Sequence, residues 1–102
     1  MKVYNKLVRD KIPEIIEADD KECKTRILSN DEYIAALEAK LNEEVAEYQA
    51  DKNLEEMADV LEVLQAICVA RGYSVAELEA MRAKKAEKRG GFKEKIFLEY
   101  VE

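Results

Sequence analysis

The chain has 102 residues, a length that suits one domain with a single modest core, and we treat residues 1–102 as that domain. Apolar residues make up 48% and charged residues 39%, with only three glycines and one proline, so an all-α fold with short connections is predicted. The net charge of −6 disfavours bulk nucleic acid as a partner.

The first predicted helix is short and runs from about Ile12 to Ala18. Pro13 suits a first helical turn, and Ile12, Ile15 and Ile16 form an apolar stripe. Residues 1–8 alternate loosely and are predicted to be extended, and residues 25–28 form a brief β-prone piece.

Three longer helices are predicted from their end signals. Ser29 and Ser74 are each followed three residues later by Glu, which is the spacing of a capping box, and Asn53 can cap a helix in the same way. Glycines follow the third and fourth helices, where a left-handed residue commonly ends a helix. The helices are predicted from Ser29 to about Ala50, from Asn53 to Arg71, and from Ser74 to about Arg89.

The last segment, residues 92–101, is apolar and partly β-prone. We expect it to be extended and able to pair with residues 25–28 or with the N-terminal segment. Its aromatic residues Phe92 and Tyr100, together with Tyr4, are expected to pack in the core, with stacking on the flat ring of a ligand as the alternative.

Several kinds of chemistry and location are disfavoured. No apolar run reaches the roughly 20 residues that span a bilayer, and no secretory signal is evident, so a cytoplasmic protein without a membrane partner is predicted. Cys23 and Cys68 lack the paired spacing of zinc or redox sites, and there is no histidine. A Gly-rich phosphate loop ending in Lys-Ser or Lys-Thr is also missing.

Charge is unevenly distributed along the chain. From Asp31 to Glu62 there are eleven acids and two lysines, whereas Lys84 to Lys95 holds six bases and two acids, and the first eleven residues hold four bases and one acid. An acidic middle therefore lies between two basic ends. Ordinary solvated helix faces would explain this distribution equally well.

Helical periodicity separates the three glutamates of the second helix. Counted at about 100° per residue from Leu41, an apolar stripe lies within about 40°. Its other members are Ile34, Leu37, Val45 and Tyr48. Glu44 lies about 60° and Glu47 about 120° from Leu41, whereas Glu43 lies at about 160°, on the far side. Glu44 and Glu47 are therefore predicted to face a neighbouring helix.

The third helix has two apolar faces. One consists of Leu54, Met57, Leu61, Leu64 and Cys68, and the other of Val63, Ala66, Ile67 and Ala70. A helix that is apolar on most sides lies centrally or at a subunit interface, so we predict a homodimer or homotetramer. Glu56 and Asp59 share the second face, where acids are costly unless a positive group meets them.

Four carboxylates can converge if the second and third helices are antiparallel neighbours, as their short connection implies. They are Glu44, Glu47, Glu56 and Asp59. Oxygen ligands of this kind suit Mg²⁺, with Mn²⁺ as a substitute. For Glu56 alone, completion of a capping box after Asn53 is an equally good interpretation, but it explains neither Asp59 nor Glu44.

The pattern Glu43-Glu44-x-x-Glu47 followed by Glu56-x-x-Asp59 resembles the signature of the MazG-like all-α nucleoside triphosphate pyrophosphohydrolases. That superfamily includes dimeric dUTPases and phosphoribosyl-ATP pyrophosphohydrolases. Residues 4–13 (YNKLVRDKIP) and 88–92 (KRGGF) resemble the end segments of a house-cleaning subgroup. The resemblance implies a four-helix bundle completed by oligomerisation, with Glu44, Glu47, Glu56 and Asp59 as magnesium ligands and Glu43 peripheral.

The implied activity is magnesium-dependent hydrolysis of a nucleoside triphosphate, canonical or damaged, to the monophosphate and pyrophosphate through attack of water at the α-phosphorus. Glu44 or Glu47 would accept the proton of that water. Basic residues of both chain ends would bind the phosphates. These are Lys6, Arg9, Lys11, Lys85, Lys88 and Arg89. For the last three, interaction with the C-terminus of their own helix is the alternative.

Two other functions remain open from the sequence. Phosphoribosyl-ATP pyrophosphohydrolysis would use the same acids on another substrate. A non-catalytic helical interaction module would carry them as surface charge, and it predicts no response of thermal melting to magnesium.

Overall fold

The computed structural model describes residues 1–102 and contains four helices and no strand. The helices are α1 (Ile12–Ala18), α2 (Asn30–Asp51), α3 (Leu54–Ala70) and α4 (Val75–Arg89). The predicted all-α fold class is therefore confirmed, and each helix ends within one residue of its predicted end. None of the four combines the length and the apolar character that crossing a membrane requires.

Reciprocal hydrogen bonds fix the beginnings of α2 and α4. The Ser29 hydroxyl accepts from the Glu32 N–H at 3.3 Å, and the Glu32 carboxylate accepts from the Ser29 N–H at 3.1 Å. Ser74 and Glu77 repeat this arrangement at 3.0 and 3.1 Å. Both predicted capping boxes are confirmed, and each satisfies two backbone donors that the first turn would otherwise leave unpaired.

The packed part of the chain is a hairpin of α2 and α3. Only Lys52, in the left-handed conformation at φ 51°, and Asn53 join the two helices, which therefore run antiparallel and contact each other along their length. The buried apolar residues of this hairpin are Leu37, Val63 and Cys68. In contrast, α4 contacts only α3, over a short stretch, and α1 packs against no other helix.

The extended terminal segments do not pair with each other. Residues 1–8, 25–28 and 92–101 contain no strand, and Tyr4, Phe92 and Tyr100 are all exposed. The expected pairing of the tail and the expected core packing of these aromatic residues are therefore wrong for the single chain. An isolated strand pair is marginally stable without a buried face, and in these segments only Leu7 and Leu28 are even partly buried.

The single chain exposes more surface than a closed domain of its size. Its radius of gyration is 18.1 Å, compared with about 13 Å for a compact domain of this length. Its accessible surface is 9562 Å², compared with about 5,900 Å² for a folded monomer of this mass. One predicted apolar face of α3 is largely open to solvent: Cys68 is buried, but the other four members, Leu54, Met57, Leu61 and Leu64, are exposed. A second copy of the chain would pack on this face if the predicted oligomer forms.

Candidate metal centre

Three carboxylates meet between α2 and α3, in the half of the hairpin nearest its turn. Glu44, Glu56 and Asp59 each offer an oxygen, and these oxygens all lie within 4.8 Å of one another. Glu56 and Asp59 lie one helical turn apart on the face of α3 that meets α2, because residues three apart share a face. The structure thus brings together three of the four metal ligands predicted from the sequence.

Glu44 is the buried member of this cluster, with 7% of its surface exposed. Its Oε1 lies 3.5 Å from Lys40 Nζ, whereas its Oε2 is buried and has no hydrogen-bond partner. Burial raises the pKa of Glu44, the neighbouring Glu47 carboxylate raises it further, and Lys40 opposes the change. A buried carboxylate oxygen without a hydrogen-bond donor is destabilising, so a further positive charge beside it would stabilise the site.

Glu56 directs its carboxylate into the hairpin. Its backbone N–H donates to Asn53 Oδ1 at 2.9 Å, but its side chain does not return to the Asn53 N–H. The capping-box interpretation of Glu56 is therefore wrong, although Asn53 does cap α3. Glu56 Oε2 is buried and unpaired like its counterpart on Glu44. Burial raises the pKa of Glu56, and the charges of Asp59 and Asp51 add to this effect.

Asp59 receives its positive partner from the N-terminal segment. Arg9 Nη2 donates to Asp59 Oδ1 at 2.6 Å, across a sequence separation of 50 residues. The Arg9 side chain is 58% exposed and that of Asp59 is 32% exposed, so this ion pair lies at the open edge of the cluster. The segment before α1 therefore passes over the hairpin at the carboxylates.

The other two glutamates of α2 occupy different positions. Glu47 is exposed and lies outside the three-carboxylate cluster, yet it is near enough to Glu44 to raise the pKa of that residue. Glu43 forms ion pairs with Lys40 at 3.5 Å and with Lys6 at 3.9 Å. Glu47 therefore borders the cluster, whereas Glu43 turns toward cations at its periphery.

The predicted phosphate-binding residues separate into two groups. Arg9 lies at the cluster and Lys6 lies beside it. The remaining four form no ion pair within the chain. They are Lys11, before α1, and Lys85, Lys88 and Arg89, at the end of α4. Because α4 contacts only α3, and only briefly, its basic end stands apart from the cluster of its own chain.

Lys40 is the residue of this centre that sequence reasoning missed. It lies four residues before Glu44 and three before Glu43, and its ammonium is 3.5 Å from each carboxylate. The i, i+3 and i, i+4 spacings of a helical ion pair were the available signal. Its side chain is 18% exposed, so this positive charge is largely shielded from solvent beside Glu44.

Comparison with known proteins adds little to these findings. No family model matches the chain, and no solved structure matches it. An uncharacterized protein from Mycolicibacterium smegmatis is 61% identical over 44 residues, which are 43% of this chain and 45% of that protein. The chain thus matches less than half the length of this relative, and the similarity assigns neither a family nor an activity. The fold and the site define an all-α protein with an oxygen-rich cluster suited to a hard divalent cation.

Proposed function

We propose that the chain is a magnesium-dependent nucleoside triphosphate pyrophosphohydrolase of the MazG-like kind. The observation that carries this proposal is the pair of buried, unpaired oxygens of Glu44 and Glu56 beside Asp59. Such oxygens are costly unless a cation meets them, and a protein that used these acids only as surface charge would expose them. A cytoplasmic location is part of the proposal.

The cluster fits a hard cation in donor type and in spacing. All its donors are carboxylate oxygens, which Mg²⁺ and Mn²⁺ prefer, and no histidine is present. Side-chain rotations can close a separation of 4.8 Å to the roughly 3–4 Å found between ligands of one Mg²⁺ ion. Glu44, Glu56 and Asp59 would hold the ion, and Glu47, the fourth ligand predicted from the sequence, lies beside Glu44 at the border of the cluster.

The residues around the cluster suit hydrolysis of a polyphosphate. Magnesium held there would neutralise charge on the phosphate oxygens and acidify a water molecule. Glu47 is the better candidate for accepting the proton of that water, because it is exposed at the edge of the cluster whereas Glu44 is buried within it. Arg9, which contacts Asp59, and Lys6, which contacts Glu43, would bind the phosphates and orient them for attack at the α-phosphorus.

A homodimer or homotetramer completes this proposal. The exposed face of α3 would be covered by a second copy of the chain. The basic end of α4 would then reach the carboxylate cluster of that copy with Lys85, Lys88 and Arg89. Nucleotide phosphates would then meet basic residues from both ends of the chain. This arrangement offsets the repulsion that an acidic cluster alone exerts on a polyphosphate.

The direct test is a panel of nucleoside triphosphates, canonical and oxidised, assayed for pyrophosphate release with and without Mg²⁺. Phosphoribosyl-ATP belongs in the panel, because preferential turnover of it would favour the alternative activity. Hydrolysis in ¹⁸O-labelled water should place the label on the monophosphate. Release of free phosphate with a diphosphate product would contradict the proposed reaction. No turnover and no magnesium-dependent rise in melting temperature would favour the interaction module.

A further inference from the structure

We propose that Arg9 is a built-in counter-ion that competes with the divalent cation for Asp59 and, once displaced, turns to the phosphates of the substrate. This inference rests on the proposed function, because it needs a divalent cation at the carboxylate cluster. It adds a regulatory step: the guanidinium of Arg9 occupies Asp59 until the cation replaces it.

The geometry of Arg9 is that of an exchangeable ligand. Its guanidinium makes one ion pair, with Asp59 at 2.6 Å, and more than half of its side chain remains exposed. Residues 1–8 are outside any helix, and the backbone near Arg9 is anchored by the Ile12 N–H, which donates to the Arg9 carbonyl at 3.1 Å. The side chain can therefore leave Asp59 without any helix unfolding.

The balance of charge at the cluster explains the exchange. The one positive charge that pairs with Asp59 is that of Arg9, whereas Lys40 forms ion pairs with Glu44 and Glu43. Once Asp59 becomes a ligand of a divalent cation, the guanidinium loses its partner and is repelled by the two positive charges. A freed guanidinium presents five donors in a planar fork, a geometry that matches phosphate oxygens.

The other cations near the cluster do not fit this role. Lys40 lies on α2 with its side chain 18% exposed, so it is held by the helix and stays beside Glu44. Lys6 approaches only Glu43, at 3.9 Å, and Glu43 lies outside the three-carboxylate cluster. Arg9 alone combines direct contact with a cluster carboxylate, an exposed side chain and a position outside the helices.

The test is a calorimetric titration of Mn²⁺ into the intact wild-type protein and the Arg9→Gln variant at 0.15 M salt, where the screening length is about 8 Å. Arg71→Gln is the matched control: its guanidinium pairs with Glu38 at 3.0 Å and is 52% exposed, and its removal lowers the net charge equally. Arg9→Gln should bind Mn²⁺ about fivefold more tightly, the factor that about 1 kcal/mol represents for a partly exposed ion pair, and Arg71→Gln should match the wild type.

The second measurement is binding of inorganic tripolyphosphate to the same proteins saturated with Mn²⁺. Here Arg9→Gln should bind about tenfold more weakly than the wild type, because a charge-assisted hydrogen bond is lost. Opposite changes for Mn²⁺ and tripolyphosphate support the inference, whereas weaker or unchanged Mn²⁺ binding by Arg9→Gln overturns it and leaves the proposed function standing. Failure of all three proteins to bind Mn²⁺ would instead refute the metal centre.

Discussion

Replacing Glu44 with Gln tests the cluster most directly, because it removes one buried charge and keeps the shape of the side chain. Like charges no more than 4.8 Å apart repel by at least about 3.5 kcal/mol at an effective dielectric constant of 20, and by about 0.9 kcal/mol in bulk water. Glu44 has two such neighbours in the cluster and one attractive partner, Lys40 at 3.5 Å. We expect metal-free Glu44→Gln to be more stable than the wild type by on the order of 1 kcal/mol.

The order of the melting temperatures should reverse between the two conditions: the variant should melt above the wild type in EDTA and below it in Mg²⁺. In EDTA the variant should melt about 4–8 °C above the wild type, the shift that 1 kcal/mol produces in a domain of this size. In Mg²⁺ at 100 times its dissociation constant the wild type should gain about 2.7 kcal/mol, whereas the variant should gain little. The variant should also lose pyrophosphate release, because Glu44 would be a metal ligand.

The difference in stability between metal-free Glu44→Gln and the metal-free wild type should depend on pH. Burial and Glu47 raise the pKa of Glu44 above its ordinary value of 4.5, so the folded protein binds this proton more tightly than the unfolded chain. Metal-free wild type therefore gains stability as the pH falls through that raised pKa. The advantage of Glu44→Gln in EDTA should be greatest at neutral pH and should shrink as the pH approaches 4.5.

Glu43→Gln is the matched control for this experiment. Glu43 precedes Glu44 in the sequence, its side chain is 39% exposed, and its ion pairs are with Lys40 and Lys6, so melting and hydrolysis should change little. Melting of Glu44→Gln below the wild type in EDTA would contradict the predicted repulsion among the three carboxylates. Loss of the response to Mg²⁺ in Glu43→Gln, rather than in Glu44→Gln, would exclude Glu44 as the metal ligand.

Four further predictions concern single substitutions. Asp59→Asn should abolish both the magnesium-dependent rise in melting temperature and pyrophosphate release, and retention of either would exclude Asp59 as a ligand. Glu47→Gln should lose turnover but keep most of the melting response, which separates a proton acceptor from an essential ligand. Leu61→Asp should shift sedimentation at micromolar concentration from an oligomer toward a monomer, and no shift would exclude this face of α3 as the interface. The pKa of Glu32 is lowered to about 2, chiefly by its hydrogen bond from Arg26. Melting curves should therefore show the wild type to be more stable than Glu32→Gln above pH 4.5, and this advantage should be lost as the pH falls toward 2.

The helix boundaries could be predicted because their signals are local. Ser29 and Ser74 form capping boxes with glutamates three residues later, and Gly72 adopts the positive φ of 94° that follows the end of α3. The convergence of three carboxylates was also predictable, since helical spacing and a two-residue connection determine which faces of α2 and α3 meet.

The features that sequence reasoning missed depend on contacts between distant parts of the chain. The Arg9–Asp59 ion pair spans 50 residues, and no spacing rule connects its two partners. Val45 belonged to the predicted apolar stripe of α2 but is exposed. The reason is that α3 is the only helix that covers α2, and it covers a narrower face than the helical periodicity implied. Helical periodicity identifies the apolar side of a helix, but not how much of that side a neighbour covers.

The size of the exposed surface limits which oligomer can complete the fold. The surface of the single chain exceeds that of a folded monomer of equal mass by about 3,700 Å². A standard-size interface removes about 800 Å² from each partner, and large obligate interfaces remove up to about 2,500 Å². A dimer joined only through the open face of α3 would therefore leave residues 92–101 exposed. The expected assembly is either an intertwined dimer that also covers this tail or a tetramer that uses a second interface, and sedimentation of the intact chain distinguishes the two by mass.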